Sequence, residues 1–434
     1  MSLLQKNILF FLVSFGISFG CRHPDADSQR NPSDSSTTLV FKHFRLTRGE
    51  NLTELLRKFQ TEQPKIIVKE EIIPASSDQQ HQFYVTNLEA GSTDFDLFAV
   101  DVIWVQEFAR AGWLEDLTPH FSSSELDNYL PAPRKACTFQ GRLFAAPWYL
   151  DAGMLYYRRD LLEKYGLKPP QSFKDLVASV KTVLAGEKNP QLRGFIWQGK
   201  QYEGLVCNVL EYLWGNGCEV LKDSRPCIDS PNCIEALTFM RNLIVQDSVS
   251  PPMVTTADEE ITRHLFGTGK ALFMRNWSYA WNLFQAEESP VRGKIGITAM
   301  PHLEGGSSAA TLGGWNIGVN KNSRKKEAAI LLTKYLMRYE SQKYLALKSG
   351  FRPTRRDVYE DAELKREQPV IGDVLNVLLQ AHPRPVTPYY LMISQMLQSE
   401  FSAALTGIKT PQQALADTKV HMERILALER EVTN

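Results

Sequence analysis

Trp277, Tyr279 and Trp281 occupy alternate positions in RNWSYAW, Arg275 to Trp281, next to Asn276 and Arg275. Trp315 follows two glycines in LGGWN, Leu312 to Asn316. Flat aromatic surface beside hydrogen-bonding groups is chemistry for recognition: a ring covers an apolar face, and polar groups bond a rim. Several of the tryptophans also have a packing reading. Trp277 fits between a strand and a helix, since tryptophan is usually mostly buried. Trp281, one helical turn later, reads as core, and Trp104 and Trp113 read as structural.

Bond-making chemistry finds less in the chain. GISFG, Gly16 to Gly20, fits G-x-S-x-G but lies in an apolar N-terminal run. Neither a G-x-x-x-x-G-K-[ST] loop nor an H-E-x-x-H motif occurs. Nothing singles out a carboxylate pair for glycoside hydrolysis. The eight histidines are scattered and none falls at ligand spacing from the cysteines, so neither zinc nor another cofactor is expected. Of the six cysteines, Cys218, Cys227 and Cys233 are close enough that two of them should form a bridge.

The elements that must position these residues alternate from the start. TLVFKHF, from Thr38, reads as a strand, NLTELLRKFQTEQ as a helix and IIVKEEII as a strand. HQFYVTNLEAG reads as a helix, FDLFAVD as a buried strand and VIWVQEFARAG as a helix. That order predicts a parallel α/β layer. Ligands bind beyond the C-terminal ends of such strands, where Arg48, Gly49 and Glu50 follow the first strand and Asp101 ends the third. For Asp101, an N-cap on the VIWVQEF helix and a ligand contact are both open readings.

With 434 residues, two lobes or domains are expected. Lys plus Arg and Asp plus Glu both total 49, so a nucleic-acid partner is not expected. Lys6 and the apolar run Ile8 to Gly20 read as a secretory signal over residues 1–20, shorter than the ~20 residues that span a bilayer. SFGC ends it like a bacterial lipobox, with Cys21 as the lipidation point, although Phe19 is bulkier than usual there. Residues 21–37 are polar and rich in Ser, Asp and Pro, a tether that would hold the body off a membrane.

FDLFAVDVIWVQEFARAGWLEDL, APWYLDAGMLYYRRDLLEKYG, WQGKQYEGL, GKALFMRNWSYAW, LGGWNIGVN, SGFRPTRRDVY and RPVTPYY follow one another along the chain. In that order they resemble the family 1 extracellular solute-binding proteins, the sugar receptors of bacterial ABC importers. The likeness spans nearly the whole mature chain and is strongest to the trehalose/maltose-binding branch. It implies an α/β, two-lobed periplasmic-binding-protein type II fold with a hinge and an interlobe ligand cleft. One lobe would comprise residues 38–150 with 310–354, the other 154–301 with 357–434. It further implies a monomer that carries a disaccharide to permease subunits, and no enzyme. A surface-anchored glycoside-active enzyme or a sugar sensor on the same fold is the alternative. Residue by residue, the resemblance puts Trp277, Tyr279 and Trp315 on the sugar rings. Glu50, Asp101, Asp151 and Arg384 take the hydroxyls, with Tyr149 and the backbone of Gly313 and Gly314 close by. Asp151 is read as part of a loop beside the hinge.

The anchor is directly testable. Metabolic lipid labelling should mark the wild-type protein, and Cys21→Ala should abolish the label.

Overall fold

Between Thr37–Phe44 (β1) and Ile66–Ile73 (β2), which pair in parallel along their whole length, runs helix Glu50–Glu62 (α1). Its apolar residues Leu52, Leu55, Leu56 and Phe59 recur at helical spacing and are all buried. Helix Ser77–Glu89 (α2) leads into Leu97–Asp101 (β3), five buried residues that pair in parallel with β1. The parallel α/β layer expected from the alternation is therefore present. The computed structural model describes residues 36–433 apart from 47, 75, 223 and 224. The signal-like segment and Cys21 lie outside the described residues.

Helix Val105–Arg110 (α3) starts later than the sequence suggests, with Trp104 at its N-cap. Asp101 is therefore not the cap of that helix. Its Oδ1 instead accepts the Ile103 N–H at 3.3 Å, closing the turn between strand and helix.

The centre of the fold is Ala146–Arg158 (β4), thirteen residues of which the first eleven are buried. Burial on both faces erases the apolar–polar alternation that marks a strand in sequence. Asp151 consequently lies inside β4 and not in a loop. Arg193–Ile196 (β5), Ala271–Trp277 (β6), Ile295–Thr298 (β7), Leu312–Val319 (β8) and Arg352–Pro353 (β9) complete the sheet. Its strand order is β2-β1-β3-β8-β4-β6-β5, with β7 and β9 also paired to β4.

Two apolar cores share this sheet, one toward each end of its strand order. One gathers Phe41, Leu55, Phe98, Trp104, Trp148 and Tyr149. The other gathers Leu150, Tyr156, Leu205, Leu237, Phe273 and Phe401. The division falls between the adjacent residues Tyr149 and Leu150 of β4, and between Leu312 and Ile317 of β8. A disulfide joins Cys218 to Cys233, as expected within that trio, and leaves Cys227 free. Among the described residues no helix is long and apolar enough to cross a membrane, and no three His, Cys, Asp or Glu are grouped to hold a metal.

Trp104 is fully buried, and its ring contacts His81, Tyr84, Phe108 and Trp315. Trp104→Ala should lower unfolding stability by roughly 3–5 kcal/mol, because the rigid neighbours cannot refill the cavity. Urea denaturation measures this.

Candidate functional site

Strand register collects the aromatic and charged residues. Trp315 lies opposite Tyr149 on β4 and opposite Asp101 on β3, while Gly313 lies opposite Asp151. Trp277, ending β6, lies opposite Gly153. Side chains alternate along a strand, so Tyr149, Asp151 and position 153 project to one face of the sheet. Their cross-strand partners Asp101, Trp315, Gly313 and Trp277 share that face. The group straddles the seam between the two cores.

Trp277 is half-buried and held on three sides. The Arg275 guanidinium sits 4.3 Å from the centre of its rings, and its Nε1–H donates to Glu259 Oε1 at 3.2 Å. Gly313 leaves room for its edge: a Cβ there would come within 2.8 Å of Trp277 Cζ3. Beneath the ring, Arg275 is wholly buried against Glu211. Gly314 has φ +145, and a Cβ there would meet Tyr149 O at 2.6 Å, so glycine is what lets β8 and β4 approach. Trp315, also half-buried, packs on Phe44 at 4.3 Å and perpendicular to Trp104 at 5.5 Å. Tyr149 stacks on Phe351 at 4.2 Å.

The carboxylates are held as firmly. Asp151 Oδ1 accepts both the N–H and the hydroxyl of Ser278 at 2.6 Å, and the Ala152 N–H at 3.0 Å. Ser278 is in turn fixed by Arg352, whose Nη2 donates to its carbonyl at 2.9 Å. No protein hydrogen bond reaches Asp151 Oδ2 among the described residues, so that oxygen can accept from a ligand. Burial raises the Asp151 pKa, against the opposing effect of the Ser278 hydrogen bonds. Burial likewise raises that of Asp101, which accepts the Ser77 hydroxyl at 3.2 Å and lies 3.6 Å from Arg384 Nη2.

Arg384 also donates from Nη1 to Glu203 Oε1 at 2.8 Å. Glu203 opens helix Glu203–Gly215 (α4) and accepts further bonds from the hydroxyls of Tyr390 and Ser394. Arg384 thus lies between Asp101, on a strand of the first core, and Glu203, packed with the second. Tyr279 follows β6 and is half-buried, its hydroxyl donating to Glu260 Oε1 at 3.1 Å. Glu50 is not drawn into the group. It is exposed at the first residue of α1, and no hydrogen bond or ion pair joins it to the others among the described residues.

Glu203, Glu259, Ser278 and Arg352 were not singled out from the sequence. One signal was present. Glu203 opens and Glu211 interrupts the largely apolar run EGLVCNVLEYLWG, and an acid at such a place implies a buried partner. Two half-exposed tryptophans, a tyrosine and buried charged groups at one seam suit a ligand with apolar ring faces and a rim of hydroxyls.

Comparison with known proteins gives a consistent picture. The family model described as bacterial extracellular solute-binding protein matches residues 45–343. A probable ABC transporter-binding protein of Deinococcus radiodurans is 36% identical over 361 residues, covering 81% of this chain and 85% of that protein. Maltose-bound T. maritima MalE3 is 42% identical with a TM-score of 0.86, covering 90% of this chain and 100% of that one. A Thermotoga lettingae solute-binding protein bound with alpha-D-tagatose is 25% identical with a TM-score of 0.81, at 90% and 100% coverage.

The raised Asp151 pKa sets a pH dependence. The folded protein holds this proton more tightly than the unfolded chain. Its contribution to stability is therefore present below the ordinary aspartate pKa, about 3.9, and is lost as pH rises through the raised value. Asp151→Asn, which cannot titrate, should gain in melting temperature relative to wild type between about pH 4 and about pH 7. Parallel thermal melts at the two pH values, without ligand, measure it.

Proposed function

This chain belongs to the family of bacterial extracellular solute-binding proteins, and on that premise we propose that its cleft captures a disaccharide of the maltose or trehalose kind for an ABC importer. The observation that carries the reading is the convergence of Trp277, Trp315, Tyr149, Asp101, Asp151 and Arg384 where β4 and β8 pass from one core to the other. A pyranose has apolar C–H faces and a rim of hydroxyls. Trp277 and Trp315 would cover the faces, and Asp101, Asp151 and Arg384 would bond the rim. The identity to the maltose-bound protein, over 90% of this chain, supports a glucose-built disaccharide.

In this reading residues 38–150 with 310–354 form one lobe and 154–301 with 357–434 the other. The two separate cores support a cleft that closes between them. Gly313 and Gly314 bring backbone against the ligand, and Tyr279 edges it. Glu50, exposed at the start of α1, would reach it only on closure. Lipid on Cys21 would hold the receptor beside its permease. Binding and not hydrolysis fits the carboxylates, since Asp101 and Asp151 are engaged by Ser77, Arg384 and Ser278 and stabilised in place.

Calorimetric titration with maltose and with trehalose tests this. Binding is expected for one or both, and Trp277→Ala and Trp315→Ala should each weaken it by roughly 2 kcal/mol or more. Wild-type affinity in both variants, or no heat with any disaccharide, would sink the proposal.

A further inference from the structure

Glu259 lies outside every group assigned above to ligand contact, yet it is the partner of the Trp277 indole. It opens helix Glu259–Gly267 (α5) and is itself half-buried. One carboxylate oxygen accepts the Trp277 Nε1–H at 3.2 Å, and the other accepts the Tyr202 hydroxyl at 2.6 Å. Asp258, one residue earlier, caps α5 by accepting the Ile261 N–H at 3.1 Å, which fixes the helix start. The carboxylate is thus a rigid acceptor and not a mobile surface acid.

We propose that Glu259 is a positioning residue that makes Trp277 a one-faced stacking platform. The proposal rests on the disaccharide-binding reading of the cleft. An indole offers a ligand three things: two faces and one N–H donor. Arg275 occupies one face at 4.3 Å, and Glu259 occupies the donor. Gly313 sets the edge. What remains for a sugar is the second face alone, in a single plane. Without Glu259 the ring can tilt about its side-chain torsions, and its N–H competes for ligand hydroxyls or water. Glu259 therefore selects stacking over hydrogen bonding at this position, and Trp277 should contribute no polar specificity.

The test combines a proton–nitrogen NMR spectrum of protein labelled at the indole nitrogens with maltose titrations. The variants are Glu259→Ala, Glu259→Gln, Trp277→Phe and the double variant Trp277→Phe with Glu259→Ala. Trp277→Phe identifies the Trp277 indole signal by its loss. In Glu259→Ala that signal should move and exchange faster with solvent, and maltose should bind about tenfold more weakly. Glu259→Gln keeps an acceptor oxygen and should lose no more than about threefold. In the Trp277→Phe background, which has no N–H, Glu259→Ala should change affinity by less than about twofold. An unmoved indole signal in Glu259→Ala, or an equal loss of binding in both backgrounds, overturns the proposal. If wild type binds no sugar, the functional reading falls, and the indole signal still decides whether Glu259 holds the ring.

Discussion

The guanidinium of Arg275 lies fully buried against the carboxylate of Glu211, and the Trp277 platform and the strands beside it depend on that pair. Taking both charges out of water is costly, and their attraction balances the cost only when the remaining donors and acceptors are satisfied. Here they are. Arg275 Nε donates to Glu211 Oε2 at 2.9 Å and its Nη1 donates to Gln198 Oε1 at 3.2 Å. Glu211 Oε1 accepts the Thr311 N–H at 3.1 Å, just before β8 begins. One ion pair thereby fixes β6, α4 and the entry to β8 relative to one another. The Trp277 ring rests on its cationic half. Its value to the protein is geometric more than energetic, since an apolar replacement would pack as well but would tie down no strand.

The groups that would touch a ligand are also groups that hold the fold. Asp151 fastens the Ser278 turn to β4, and Arg384 bridges Asp101 and Glu203. Asp151 and Arg384 are both buried. Removing either leaves buried donors or acceptors unpaired. Such a site is stiff before any ligand arrives, which reduces the ordering a ligand would have to impose.

Much of the frame was legible in the sequence because it follows period. The α1 stripe, the buried β3 and the Trp104 core all show as spacing or as apolar runs. The trio of cysteines bracketed the observed bridge. The aromatic clusters at Trp277 and Trp315 were visible as composition, and register then placed them on one face. What escaped has a common cause. β4 is buried on both faces, so no alternation betrays that it extends back to Ala146, and Asp151 looked like a loop residue. Of the two open readings of Asp101, the cap fails because α3 starts at Val105 and not at Val102. Glu203, Ser278 and Arg352 matter through partners more than seventy residues away, and such pairings leave no local trace.

The sheet has an order of assembly written into it. β3 has β1 on one side, but its other neighbour is β8, and the Asn316 side chain donates to Val100 O across 216 residues of chain. The first core cannot close until most of the polypeptide exists. Pairings this distant in sequence are slow to form, because the intervening chain must be looped before any contact rewards it. The first core therefore closes late, once β8 has been made and looped back beside β3.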